Sequence, residues 1–349
     1  MTNVSSYALA ASPRLTVSQA QQALSKAQVE LSSGKFADIG LGLGSSSGNY
    51  VSLGNQQSRL QAIKDSNGTT ASTLTAAYSG LDALRTTATS FLASLTQASG
   101  TGSVSGTLVA TAGANLDSLI ATLNTSVGGN AIFGGIDSGS APMTAYTDGT
   151  PPSKSKAAVD ASFASSFSGA KPADASNATI SGQAMTDYLA KQFSTLFDTG
   201  YQGTWSSASG TVPTAQISAT ETVTTSVSAN DTSFRQLAQA YATVKEFGGS
   251  NFGSAAGQAV IASATKLVSS AIAGLTQAQA GIGLSQAAVS DADDRMSTQI
   301  DYLSTQAQSM VAVDPAALAT RISGLQTQIQ ASYEITSQLQ QLSLVNYLK

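Results

Sequence analysis

The chain has 349 residues, only 10% charged and 6% aromatic, a net charge of −4, and neither histidine nor cysteine. Lacking both residue types, it is excluded from Ser-His-Asp and Cys-His catalysis, thiolate and histidine zinc sites, redox pairs and disulfides, and no cofactor or metal is expected. The mildly acidic balance, with no run of Lys or Arg, argues against nucleic acid or an anionic membrane as partner.

The length allows two or three domains. Ala, Ser, Thr and Gly dominate, which suits slender helices approaching closely more than one deep core. No run of about 18 continuous apolar residues, the span of a bilayer, is present, and no membrane insertion is expected. The first residues, Met1 to Ser6, lack the basic start and apolar core of a cleavable secretory signal. The protein is therefore expected either to stay inside or to leave by a route that reads no such signal.

In chain order, Ser12-Pro13 suits a helix start, and Val17, Ala20, Leu24, Ala27 and Leu31 follow at coiled-coil spacing. Gly34 is placed to end that helix. Gly40, Gly42 and Gly44 lack both a preceding strand and the Lys-Ser/Thr of a phosphate loop, so they read as a flexible connection. Leu60, Ile63, Asn67, Thr70, Leu74, Ala77, Leu81, Leu84, Ala88, Phe91 and Leu95 then keep the 3-4 pattern without a slip, with a break possible at Asn67-Gly68. A further helix carries Leu108, Leu116, Leu119, Ile120 and Leu123 and stops at Gly128-Gly129.

Between 136 and 230 the chain turns to Ser, Thr, Gly and Pro with scattered aromatics. A helix is predicted near 183–199, with Met185, Leu189, Phe193 and Leu196 on one face, and alternation from Ile217 to Thr225 predicts a strand. Together they read as a small α+β insert with a modest core of its own, and Trp205 reads as core and not as a ligand platform.

Helical order returns with a cap at Asp231, a face of Phe234, Leu237, Tyr241 and Val244, and a stop at Gly248-Gly249. A long helix over 254–311 follows, in which Asp291, Asp293 and Asp294 beside Arg295 read as a solvated face. Asp314-Pro315 restarts a helix carrying Leu318, Ile322, Leu325 and Ile329, then a shifted stripe of Ile335, Leu339 and Leu342. The expected fold is mainly α, with long antiparallel coiled-coil helices from both termini forming a rod-like core and a small α+β insert in the middle.

The C-terminal run, Asp314-Pro315, Ala319-Thr320-Arg321, Ala331-Ser332-Tyr333 and Gln341-Leu342-Ser343-Leu344-Val345-Asn346-Tyr347-Leu348, resembles the flagellin superfamily. Gly129-Asn130-Ala131-Ile132-Phe133-Gly134-Gly135 is similar to the aromatic-Gly-Gly segment that closes the N-terminal core helices there. Glu30-Leu31-Ser32-Ser33-Gly34-Lys35 and Gln279-Ala280-Gly281-Ile282-Gly283 add to the likeness. The Leu-Ser-Leu-x-Asn-Tyr-Leu ending resembles the hook-associated branch that joins flagellar hook to filament. After Gly34, filament flagellins carry an Arg-Ile-Asn and Asp-Asp-Ala-Ala-Gly pattern; here Phe36-Ala37-Asp38-Ile39-Gly40-Leu41-Gly42-Leu43-Gly44 stands instead. That difference points to the junction branch over the filament subunit.

The resemblance implies an inner-tube domain from 1–35 and 312–349, a long-helix tube domain from 36–135 and 231–311, and an outward-facing insert at 136–230. It implies a structural protein and not an enzyme, placed outside the cell in the bacterial flagellum and exported without a cleaved signal peptide. The implied partners are copies of itself in a ring, a neighbouring hook-associated protein, flagellin or other filament-side subunits, and an export chaperone at the C-terminus. A short helix with a narrow apolar seam is marginal alone. Val17, Leu24, Leu31, Leu318, Ile322, Leu325, Ile329, Leu339 and Leu342 are therefore expected to form an assembly interface, ordering fully when copies gather. The remaining readings are a minor filament flagellin, or a flagellin-like carrier of an adhesin or glycan-binding insert.

Overall fold

A computed structural model describes the backbone of residues 6–101 and 103–347, and the side-chain surroundings of 14–100 and 103–338. It is mainly α, with long helices from both termini packed together and little strand. The chain divides into two compact units, residues 1–62 with 295–349, and residues 63–294.

The first unit holds α1 (Ser6–Ser33), the short α2 (Ile39–Leu43), the start of α3 (Ser47–Thr101), the end of α8 (Ser254–Val311) and α9 (Pro315–Tyr347). α1 begins at Ser6 and runs through Pro13, so the cap expected at Ser12 is not a helix start. An interior proline lacks its own bond and its ring crowds the carbonyl four residues back, so a helix that runs through one does so at a local cost. Gly34 does end the helix, at φ 69°, a left-handed conformation that costs glycine little. Its N–H reaches the Glu30 carbonyl at 2.9 Å.

The glycine stretch is not a loose connection. Asp38 caps α2 by accepting from the Leu41 N–H at 3.0 Å, and a 3-10 turn, Gly44–Ser46, leads directly into α3. Gly42 lies against the Phe36 ring so closely that a Cβ would stand 2.5 Å from Cγ. The glycines here serve close packing, which composition alone does not reveal. Asp314 caps α9 as expected, accepting from the Ala316 N–H at 2.8 Å.

The second unit is built on α3 and α8, which run antiparallel. As the α3 partner advances from Asn67 to Thr75 to Asp82, the α8 partner retreats from Asp293 to Gln286 to Gln279. α3 shows no break at Asn67-Gly68. α4 (Gly106–Leu123), capped by Ser105, packs along α7 (Thr232–Phe247), capped by Asp231. α7 was expected to bury one face, yet nearly every side chain from Ser233 to Val244 is inaccessible, including Gln239 and Thr243. Its alanines let other elements close in on all sides. α8 contains an 18-residue window of mean hydropathy 1.4, long and apolar enough to cross a membrane by composition. Looking only for unbroken apolar runs missed it, because Ala, Gly and Ser interleave the larger residues.

After α4, β1 (Ser126–Val127) and β2 (Asn130–Ala131) form a hairpin turned by Gly128 and Gly129, both at positive φ. The region 136–230 contributes α5 (Lys154–Ser166), which periodicity did not predict, and α6 (Gly182–Tyr188). α6 continues as a π turn, Leu189–Phe193. The extra residue in that turn moves the buried face on by one, so Phe197 is buried where Leu196 was expected. The predicted strand is a hairpin, β3 (Thr214–Gln216) and β4 (Thr222–Thr224), because the chain reverses after Ile217, whose N–H meets the Glu221 carbonyl at 2.9 Å. The region has a core of its own, in which Trp205 packs with Tyr146, Phe197 and Tyr201, but it shares a second cluster with its neighbours. Phe163, Tyr188 and Phe193 pack with Phe247 at the end of α7, and Phe163 also meets Phe252.

Candidate assembly interface

In the first unit, α1 and α9 lie side by side, and the Gln21 amide donates to the Tyr333 hydroxyl at 2.9 Å. A shallow groove of about 400 Å³ runs past this contact, lined by Arg14, Val17, Ser18, Gln21, Tyr333, Thr336 and Ser337. Beyond the helix ends the two connecting segments clasp each other. Lys35 and Ala312 form an antiparallel bridge, the Phe36 N–H reaches the Val311 carbonyl at 3.1 Å, and the Val313 N–H reaches the Gly34 carbonyl at 3.1 Å. Glu30 is buried behind this clasp and accepts from the Ala37 N–H at 3.2 Å.

The candidate residues separate by exposure. Val17 and Leu318 are buried, with Ala20 and Ala27 of the same seam. Leu24, Ile322, Leu325 and Ile329 are half-buried. Leu31 is 41% exposed. The side chains of Leu339, Leu342, Leu344 and Asn346 fall outside the described residues, as does Leu348 altogether. The seam reading missed Leu15 and Val29, 62% and 52% exposed, and Ile335 is similarly open. Leu15 and Val29 lie fourteen residues apart on α1, four helical turns and hence on one side. The repeat was readable in the sequence but was overshadowed by the stronger seam through Val17 and Leu24.

The family-motif residues in the second unit are architectural. Phe133 is fully buried, edge-on to Phe234 at 5.8 Å, and its ring lies where a Cβ on Gly80 of α3 would come within 3.2 Å. The Phe133 carbonyl accepts from the Ala229 N–H at 2.7 Å, and the Gly134 carbonyl accepts from the Ser209 N–H at 3.0 Å. Gly135 has φ 68°, and a Cβ there would stand 2.6 Å from the Ser209 carbonyl oxygen and 2.7 Å from that of Thr211. The motif thus threads between α3, α7 and the segments around Ser209–Thr211 and Ala229, with no room for a side chain at Gly135. In the first unit, Asp314 is a helix cap and Tyr333 a partly exposed surface ring.

Charge is sparse, and one concentrated cluster holds α5 to α7. The Lys156 ammonium contacts Asp160, Asp148 at 3.5 Å and Glu246 at 3.6 Å. Tyr146 donates to Glu246 at 2.9 Å, and Lys245 stands 4.6 Å over the Tyr146 ring. Burial pushes the Glu246 carboxyl up, although Lys156 and Tyr146 pull it down. Burial likewise pulls the Lys156 ammonium down, but the bond to Asp160 and the charges of Glu246, Asp160 and Asp148 raise it on balance. Trp205 is fully buried and stacked on Tyr146 at 5.0 Å, so it presents no face to a ligand. Asp293 differs from the solvated face expected of it, because it is half-buried and accepts from the Asn67 amide at 2.7 Å. Among the described residues no group of three or more acidic side chains could hold a metal ion.

The comparisons match this architecture at both ends. The bacterial flagellin N-terminal helical region matches residues 4–138, and the bacterial flagellin C-terminal helical region matches residues 265–348. No curated protein matches the chain closely enough to narrow that further. The two regions cover well over half of the chain and coincide with its paired long helices, and with them the chain belongs to the flagellin superfamily, a family of structural, self-assembling components of the extracellular flagellum.

Proposed function

We propose that this flagellar protein is the junction subunit that joins hook to filament, assembling as a ring of copies. One side of the ring would meet a hook-associated neighbour, and the other would template flagellin packing. The observation that carries the reading is the segment after Gly34. Where filament subunits bear a polar pattern, this chain has Phe36 to Gly44, folded as the capped α2 with Gly42 against Phe36 and Leu41 turned outward. The Leu-Ser-Leu-Val-Asn-Tyr-Leu ending supports the same branch.

On this reading 1–35 and 312–349 form the inner tube, 36–135 and 231–311 the outer one, and 136–230 faces solvent. Copies would meet through the seam residues and through Leu15, Val29 and Leu31, which the single chain leaves open. An export chaperone would cover the C-terminal helix before assembly, and export would need no cleaved signal. A deletion strain tests the proposal. Intact hooks with flagellin spilled into the medium are the expected phenotype. Filaments that are merely shortened or altered would instead make this a minor filament subunit.

A further inference from the structure

The seams of α3 and α8 repeat small and aliphatic side chains. Leu74, Ala77, Leu81 and Leu84 on one helix, and Ala264, Val268, Ala271 and Leu275 on the other, are all buried. Seams of this kind define a face but only weakly define a register, since each heptad offers its partner much the same surface. Polar pairs across the two seams distinguish one alignment from the next. Asn67 donates to Asp293 at 2.7 Å, Gln286 to Thr75 at 3.4 Å, and Gln279 to Asp82 at 3.2 Å. Thr70, the other polar residue of the α3 seam, bonds its own helix at the Ser66 carbonyl and reads nothing across.

Advancing α8 by seven residues would set Thr75 against Asp293 and Asp82 against Gln286, both acceptable polar pairs, but would set Asn67 against Ile300. Asn67 is fully buried and its amide also donates to the Ile217 carbonyl at 3.0 Å, so opposite Ile300 it would lose its partner across the pair in an apolar setting. The opposite shift sets Asp82 against Ile272, and Asp82 is half-exposed and paired with Arg85, so it discriminates less. We propose that Asn67 is the register lock of the α3–α8 pair and that it excludes the arrangement advanced by one heptad. Its place in the seam selects alignment, in the manner of a lone polar residue at a coiled-coil core position.

Because the chain has no cysteine, paired cysteines report register directly in the full-length protein. Thr75→Cys with Gln286→Cys should form a disulfide in the native alignment. Asp82→Cys with Gln286→Cys should form one only after the shift, because a heptad separates the two alignments by about 10 Å, beyond disulfide reach. With Asn67 in place only the first pair is expected to crosslink. With Asn67→Leu the second pair should crosslink as well, to a fraction comparable with the first. Should that variant fail to fold, Ile300→Gln with Asn67 retained gives the shifted alignment its missing partner and should open it likewise. Crosslinking confined to the native pair in a folded variant of either kind would overturn the proposal.

Discussion

Gly135→Ala isolates the packing role of the Phe133-Gly134-Gly135 motif. At φ 68° an alanine pays for the left-handed conformation, about 1–2 kcal/mol. Its Cβ would also stand 2.6 and 2.7 Å from the carbonyl oxygens of Ser209 and Thr211, where something must shift. Overpacking of that kind costs about 1–3 kcal/mol. The neighbouring Ile136 N–H to Thr211 carbonyl bond, 3.1 Å long, would lengthen as that segment moved away, removing about 1 kcal/mol more. The expected loss is roughly 3–6 kcal/mol. Gly128→Ala is the control, since it has φ 59° and nothing within 4 Å of its added Cβ, leaving only the conformational cost of about 1–2 kcal/mol. Urea unfolding followed by the fluorescence of Trp205 measures both. Equal losses in the two variants would refute the view that the motif is held by contact, and would leave backbone conformation as its whole content.

Lys156→Met should destabilise the second unit by about 3 kcal/mol, because three carboxylates lose the ammonium between them; the same unfolding assay checks it. Glu246 is raised above its ordinary 4.5 by burial, so its protonated form contributes stability below that value, and the contribution is lost as pH rises through the folded-state value. Glu246→Gln should therefore show a flatter stability profile from pH 4.5 upward and be at least as stable as the parent at neutral pH; an unchanged profile would contradict this. Asp314→Ala removes the cap of α9 and should cost about 1 kcal/mol, read as faster amide exchange at the start of that helix. Val29→Asp should leave the thermal midpoint of the monomer within a degree or two, since the side chain is open to solvent, but should abolish self-assembly in sedimentation.

Legibility followed periodicity. α8 was readable to within a residue at each end because 3-4 spacing persists through it, and Asp231 and Asp314 were readable as caps from their side chains alone. Pro13 misled because its effect depends on whether the preceding residues are already helical. The glycines of α2 misled because a glycine that permits close packing, as Gly42 does on Phe36, has the same composition as one that permits freedom. α5 escaped because its buried set, Ser155, Val159 and Phe163, includes a serine and so leaves no apolar stripe. The aromatic cluster that 136–230 shares with α7 escaped because Phe247 and Phe252 lie outside that stretch in sequence.

The two units differ in how completely they satisfy their own helices. In the second, α7 is enclosed by α4 and by the aromatic residues of 136–230, although Tyr78 of α3 and Leu284 of α8 stay open. In the first, α1 and α9 have each other, and a two-helix layer can bury only the sides that meet. Among the described side chains, Leu15, Val29, Leu31, Tyr333 and Ile335 remain open, spread over both helices and interleaved with uncharged Ser, Thr and Gln. Such a surface, low in charge yet not continuously apolar, favours contact with a like surface without forcing collapse in solution. If copies meet through this surface, as proposed, a charge introduced at Leu15 or Val29 is a test of assembly and not of folding, because both side chains are open in the single chain.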